Sequence, residues 1–129
     1  MQRKKILLVD DSCTILMMEK LILRNDPFDL VTAMNGEEAV RKAIAELPDL
    51  ILLDVVMPRM GGFEACRLIR ANDATKHIPI VMVTTRSEPV SIETGWTNGC
   101  TDYVTKPINA LEFLAKVRSL VGHTATAGA

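Results

Sequence analysis

Three aspartates, a threonine and a lysine stand where short apolar runs of this chain come to an end. Asp10 and Asp11 follow Ile6 to Val9, Asp54 follows Leu50 to Leu53, Thr84 follows Ile80 to Val83, and Lys106 follows Tyr103 to Thr105. Three carboxylates gathered in one place repel pairwise by roughly 4 kcal/mol at about 4 Å with an effective dielectric of about 20, so the cluster needs a cation. Oxygen ligands suit a hard ion. Mg²⁺, which keeps several waters and bridges carboxylate to phosphate, fits better than a fully caged Ca²⁺, and Mn²⁺ can substitute for it. Lys106 adds a compact positive charge and Thr84 a hydroxyl donor, the two groups needed against the equatorial oxygens of a transferring phosphoryl group. Asp54 is left as the nucleophile, since carboxylates accept phosphoryl groups as aspartyl phosphates.

Each residue also has an ordinary reading. An Asp pair after a strand serves as a solvated turn or a helix cap. Thr84 taken alone is a β-branched strand residue, and Lys106-Pro107 taken alone is a turn. Asp54 is the stronger signal, because an acid between Leu50-Ile51-Leu52-Leu53 and Val55-Val56-Met57 is costly to bury without compensation. The chemical reading rests on all of them meeting at one place.

What brings them together is the order of elements. Compact apolar runs alternate with segments of helical period, the sequence form of repeated βα units. Strands are predicted at Ile6 to Val9, Leu30 to Ala33, Leu50 to Leu53, Ile80 to Val83 and Tyr103 to Thr105. Helices are predicted near Thr14 to Arg24, Gly36 to Leu47, Gly61 to Ala71, Val90 to Asn98 and Ala110 to Val121, with Asn35/Glu38 and Asn109/Glu112 in capping-box register. The fourth helix is the weakest former, since Ser91, Thr94, Gly95 and Thr97 all lower propensity, and mobility is expected there. Apolar residues on consecutive positions of the first, third and fourth strands point to a sheet covered on both faces. The expected fold class is α/β, a three-layer doubly wound five-stranded parallel sheet in the order 2-1-3-4-5. Right-handed crossovers then put the polar residues in one crevice at the C-terminal strand ends.

The chain's 129 residues, 48% of them hydrophobic, fit one domain at 1–121, with 122–129 a flexible tail or the start of a linker. Lys and Arg number 15 against 16 Asp and Glu, which argues against direct binding of nucleic acid or an anionic membrane surface. No apolar run is long enough for a membrane span or a secretory signal, so a cytoplasmic protein is expected. Cys13, Cys66 and Cys100 are scattered and odd in number, and read as reduced structural thiols.

The motifs Val9-Asp10-Asp11-Ser12, Leu53-Asp54-Val55-Val56-Met57-Pro58-Arg59-Met60-Gly61-Gly62, Val83-Thr84 and Asp102-Tyr103-Val104-Thr105-Lys106-Pro107 together resemble response-regulator receiver domains, including single-domain chemotaxis regulators, from about Lys4 to Val121. The resemblance implies a flavodoxin-like fold with Asp54 as phosphoacceptor. It implies Mg²⁺ held by Asp10, Asp11 and Asp54, with Asp11 a direct ligand and the Val56 carbonyl completing the protein set. Lys106 would pair with the phosphoryl oxygens, Thr84 and Tyr103 would act as the switch, and the Lys106-Pro107 peptide would be cis, with Lys106 directed into the crevice. A face built from the fourth helix, fifth strand and last helix would report the change. The donor would be a phosphohistidine on a sensor histidine kinase or phosphotransfer protein, or a small phosphodonor. The downstream target would be a protein, with dimerisation possible. Such a domain is no enzyme toward other substrates and catalyses only its own phosphorylation and dephosphorylation.

The sequence departs from the common pattern at Thr85, Cys100 and Trp96. Cys100 is expected to matter little, Thr85 to narrow access to Asp54, and Trp96 to be either a core residue or an exposed anchor for a partner. Val56 and Arg86, two residues after the acceptor and the switch threonine, are poorly suited to orient an attacking water, so a long-lived phosphoryl group is expected. Two rival functions share parts of this pattern. A haloacid-dehalogenase-like phosphatase needs a second Asp where Ser12 stands, and a flavodoxin-like electron carrier needs a Gly- and hydroxyl-rich phosphate loop where Asp10 and Asp11 stand. In the first helix, Ile15, Met18 and Ile22 are expected to face the sheet, leaving Leu16 and Leu23 either on a broad core face or as a kinase-docking or self-association patch.

Overall fold

A computed structural model describes residues 3–85 and 98–121 of the chain. Its strands are β1 (Lys4–Val9), β2 (Phe28–Ala33), β3 (Leu50–Asp54), β4 (Ile80–Thr85) and β5 (Asp102–Lys106). The helices between them are α1 (Cys13–Leu23), α2 (Gly36–Glu46) and α3 (Gly62–Ala71), and Ala110–Val121 forms the C-terminal helix. All four strand pairings are parallel and the order is β2-β1-β3-β4-β5, as expected from sequence. Every strand runs one or more residues longer than predicted, so Asp54, Thr84 and Lys106 belong to the strands rather than following them. The fourth predicted helix with Trp96, as well as Arg86, the Thr85 side chain and the tail 122–129, lies outside the described residues.

The sheet separates two apolar layers by the period-2 alternation of its strands. Leu7, Val9, Ile51, Leu53, Ile80 and Met82 turn to one side, where Ala39 and Ala43 of α2 and Ala65, Cys66 and Ile69 of α3 cover them. Ile6, Leu8, Leu50, Leu52, Val81, Val83 and Val104 turn to the other, under Leu16 and Leu23 of α1 and Phe113, Val117 and Val121 of the C-terminal helix. Ala39 and Ala43 make that contact from α2, and Phe113 is the largest fully buried side chain of the opposite layer.

The helix starts are fixed by side chains. Asn35 Oδ1 accepts from Glu38 N at 2.9 Å and Asn109 Oδ1 from Glu112 N at 3.0 Å, as the capping-box spacing predicts. Glu38 returns its carboxylate to Met34 N at 2.8 Å, one residue before the cap. Ser12 Oγ caps α1 through Ile15 N at 3.3 Å, a role the sequence reading did not assign.

The orientation of α1 corrects the expected one. Leu16, Glu19 and Leu23 are its buried residues, Ile15 and Ile22 are half-buried, and Met17, Met18 and Leu21 are exposed. Leu16 and Leu23 are therefore core, and a docking patch built on them is ruled out. Apolar residues surround most of this helix, so periodicity alone did not single out the buried face.

Candidate functional site

The register of the sheet brings the strand ends level. Val9 pairs with Leu53, Asp54 with Val83 and Thr85 with Lys106, so the residue after β1 and the last residues of β3, β4 and β5 share one end. Asp10 leaves β1 with its amide still bound to Ala33 O at 3.1 Å, which fixes its backbone. Its Oδ1 accepts from Ser12 N at 2.9 Å, folding the chain toward α1. Asp10 and Asp54 are buried, Asp11 is exposed, and the three offer carboxylate oxygens within 4.8 Å of one another.

Lys106 Nζ donates to Asp54 Oδ1 at 3.1 Å and stands 3.2 Å from Asp10 Oδ2. The second approach is an ion pair, and Asp10 Oδ2 is buried with no other partner among the described residues. Burial, and next the field of Asp10, pushes Asp54 up to about 6 against the pull of Lys106. Burial opposes the charge of Lys106, but its contacts with Asp54 and Asp10 outweigh that and raise its pKa. One ammonium thus serves two buried carboxylates, with a third acid at the rim.

The loop after Asp54 is held from below by glycine. Gly62 N donates to Val55 O at 2.8 Å, and a Cβ on Gly62 would run into the Asp54 carbonyl oxygen. Gly36 at the start of α2 donates to Met60 O at 2.9 Å, and a Cβ there would meet the same carbonyl. Arg59, in the left-handed region at φ 71, reaches Glu37 at 2.8 Å and ties the loop to α2 a second time. Val56, whose carbonyl the resemblance assigns to the metal, has an exposed side chain.

Thr84 is buried at the end of β4. Tyr103 is half-buried on the α2–α3 side of the sheet, and Lys116 of the C-terminal helix donates to its carbonyl at 2.6 Å. The Lys106-Pro107 peptide is cis, as expected. The structure thus brings Asp10, Asp11, Asp54 and Lys106 into one cluster, places Thr84 on the strand beside Asp54, and sets Tyr103 on β5, one strand further out. It adds one acid that the sequence reading missed. Glu19 of α1 is buried, and the largest cause of its raised pKa after burial is Asp10. Its spacing from Leu16 and Leu23, three and four residues, is the signal that could have found it.

Comparison with known proteins agrees with this fold. A family profile described as "Response regulator receiver domain" matches residues 6–118. The chain is 39% identical over 118 residues to the alkaline phosphatase synthesis transcriptional regulatory protein PhoP of Bacillus subtilis, covering 92% of this chain and 48% of that protein. It is 38% identical over 118 residues to the DNA-binding response regulator MtrA of Mycobacterium tuberculosis, covering 91% of this chain and 50% of that one. The chain therefore spans about half the length of these curated relatives. Among solved structures it is similar to the chemotaxis response regulator CheY4 of Vibrio cholerae, with a TM-score of 0.86 and 34% identity over 92% of this chain and 99% of that one. It is also similar to the receiver domain of sensor histidine kinase PA1611 from Pseudomonas aeruginosa, which has a magnesium ion coordinated in its active-site cleft. There the TM-score is 0.86 and the identity 28%, over 94% of this chain and 99% of that one.

Proposed function

This chain belongs to the response regulator receiver domain family, and from that premise we propose that it is the phosphoacceptor of a two-component phosphorelay, taking a phosphoryl group onto Asp54. The observation that carries the proposal is the buried Asp54 carboxylate at the end of the central strand, 3.1 Å from Lys106 and clustered with Asp10 and Asp11.

Asp10, Asp11 and Asp54, with the Val56 carbonyl, would hold Mg²⁺ or Mn²⁺. The unmet Asp10 Oδ2 and the excess of carboxylate over ammonium are what a hard divalent cation satisfies. When bound, the ion supplies charge neutralisation and a template for phosphoryl oxygens. The rest falls to the chain's own groups. The Asp54 carboxylate attacks phosphorus, the phosphorus–nitrogen bond of a phosphohistidine breaks, and its electron pair returns to the departing imidazole. Lys106 balances charge on the transferring group, and Thr84, one strand over, supplies a hydroxyl toward the same oxygens. The rigid strand ends position these groups before the donor arrives.

A phosphoryl group on Asp54 adds charge and three acceptor oxygens, and Thr84 and Tyr103 are the residues proposed to carry that change toward β5 and the C-terminal helix. The donor would be a sensor histidine kinase or phosphotransfer protein, and the output a protein contact, with the chain acting on no substrate but itself. Residues 1–121 would be the receiver unit and 122–129 a tail or linker. A cytoplasmic location fits this role, and among the described residues no helix is long and apolar enough to cross a membrane.

The test is incubation with acetyl phosphate and Mg²⁺ followed by intact-mass measurement. The wild type should gain one phosphoryl group, and Asp54→Asn or EDTA should abolish the gain. Modification persisting in Asp54→Asn would overturn the acceptor assignment.

A further inference from the structure

The first turn of α2 holds the loop that follows the proposed acceptor. The opening amides of a helix have no partner inside it, and Gly36 is the first residue of α2, directly after the Asn35 cap. Its amide donates to Met60 O at 2.9 Å. The approach is possible only without a side chain, since a Cβ on Gly36 would collide with that same carbonyl. The next residue adds a second tie, Glu37 Oε1 accepting from Arg59 Nε at 2.8 Å. Arg59 keeps a left-handed backbone at φ 71, a conformation disfavoured for any residue with a side chain and retained only where its surroundings impose it.

These ties close an arch. At its near end Val55 is held twice, its amide donating to Val83 O at 3.3 Å and its carbonyl accepting from Gly62 N at 2.8 Å. At its far end Met60 is held by Gly36, and Met60 N donates back to Pro58 O at 2.8 Å. Between the two ends lies Val56, an exposed residue to whose carbonyl nothing donates among the described residues. A carbonyl left unpaired between fixed neighbours is available to a hard cation. We propose that Gly36 and Glu37 are positioning residues of the cation site, holding the Met60 end of this arch so that the Val56 carbonyl stays available to the ion that Asp10, Asp11 and Asp54 would bind. Neither residue would touch the ion; both act through the loop. Both partners of the Arg59–Glu37 bridge are exposed, so the pair adds little to global stability and its effect is confined to the arch. The inference rests on the reading of the Val56 carbonyl as a ligand of the proposed cation site.

Calorimetric titration of the whole chain with MgCl₂ tests it. Gly36→Ala should push Met60 O away and weaken the Kd about tenfold, the size of effect usual for an outer partner of a ligand. Asn109→Ala, which removes the cap of the C-terminal helix, should leave the Kd at the wild-type value and is the control for a general loss of stability. Arg59→Ala separates positioning from electrostatics. Removing a positive charge from this loop would by itself tighten Mg²⁺ binding, whereas loss of the tie to Glu37 should weaken it about threefold, the scale of an exposed ion pair. Thermal melts in EDTA and in saturating MgCl₂ give a second readout: a purely structural glycine would lower both Tm values alike in Gly36→Ala, and a positioning one should shrink the rise that Mg²⁺ brings. A Kd for Gly36→Ala within about threefold of wild type, or no weaker than that of Asn109→Ala, overturns the inference alone when the wild type binds Mg²⁺. A wild type that binds no Mg²⁺ overturns the cation-site reading, and this inference with it. Should Gly36→Ala fail to fold, Arg59→Ala decides: a weaker Kd sustains the inference, and one equal to or tighter than wild type overturns it.

Discussion

Asp54 and Asp10 depend on one ammonium, and that dependence can be measured. Replacing Lys106 by Ala removes the cation paired with both carboxylates, so the initial rate of labelling by acetyl phosphate should fall by about 10²-fold, as when a charge-stabilising donor is lost. A loss below about threefold would remove Lys106 from the chemistry. The lifetime of the proposed phosphoryl group is expected to depend on a neighbouring residue. Val56 is 70% exposed at the crevice rim and offers no hydrogen bond to an incoming water, so Val56→Asn should speed loss of phosphate after the donor is removed. Following the decay by intact mass decides this, and equal rates would return Val56 to a purely backbone role. The acids and the lysine were legible in the sequence because each interrupts or ends an apolar strand. Glu19 was not. Apolar residues at 15, 16, 17, 18, 21, 22 and 23 leave α1 without a marked polar face, and an acid within such a run reads as its exposed side.

Whole elements carry the precision of the site, and their faces make sharper tests than their boundaries. The buried stripe of α1 predicts that Leu16→Glu costs about 3 kcal/mol or more in urea unfolding, whereas Met17→Glu, one position on, leaves the midpoint nearly unchanged. The reverse result would restore the orientation expected from sequence. Asn35→Ala should cost about 1 kcal/mol, the usual worth of a helix cap, and loosen the loop that α2 holds through Gly36 and Glu37. Strand order and the Asn35 and Asn109 caps were readable because they depend on local pattern and on connection rules. The glycine contacts at positions 36 and 62 were not, because they arise where two segments distant in sequence touch.

For the molecule as a whole, the buried acids tie stability to pH. Asp54 is pushed up to about 6 and Glu19 up to about 8, so the native chain keeps protons that the unfolded chain gives up. Unfolding then releases protons, and stability falls as pH rises through these values, having been greatest below the ordinary carboxylate range near 4. Asp26 and Glu38, held low by Arg118 and by the Met34 amide, act in the opposite sense only at pH below about 4. In EDTA the Tm should therefore decline from about pH 5 to about pH 9, and Glu19→Leu should remove the upper part of the decline. Added Mg²⁺, proposed to be held by the folded cluster alone, should flatten the curve. A Tm that rises across this interval in EDTA would contradict the burial of both acids.

Arg118 and Asp26 form a two-pronged bridge at 2.8 and 2.7 Å between the C-terminal helix and the turn after α1, spanning 92 positions of sequence. Strand pairings between β1, β2 and β3 close far shorter loops and come cheaper in chain entropy. The bridge is thus expected to form late, after the folding barrier is crossed. Its removal by Arg118→Ala should leave the refolding rate untouched and quicken unfolding, making this surface fork a determinant of how long the native state persists rather than of how fast it is reached.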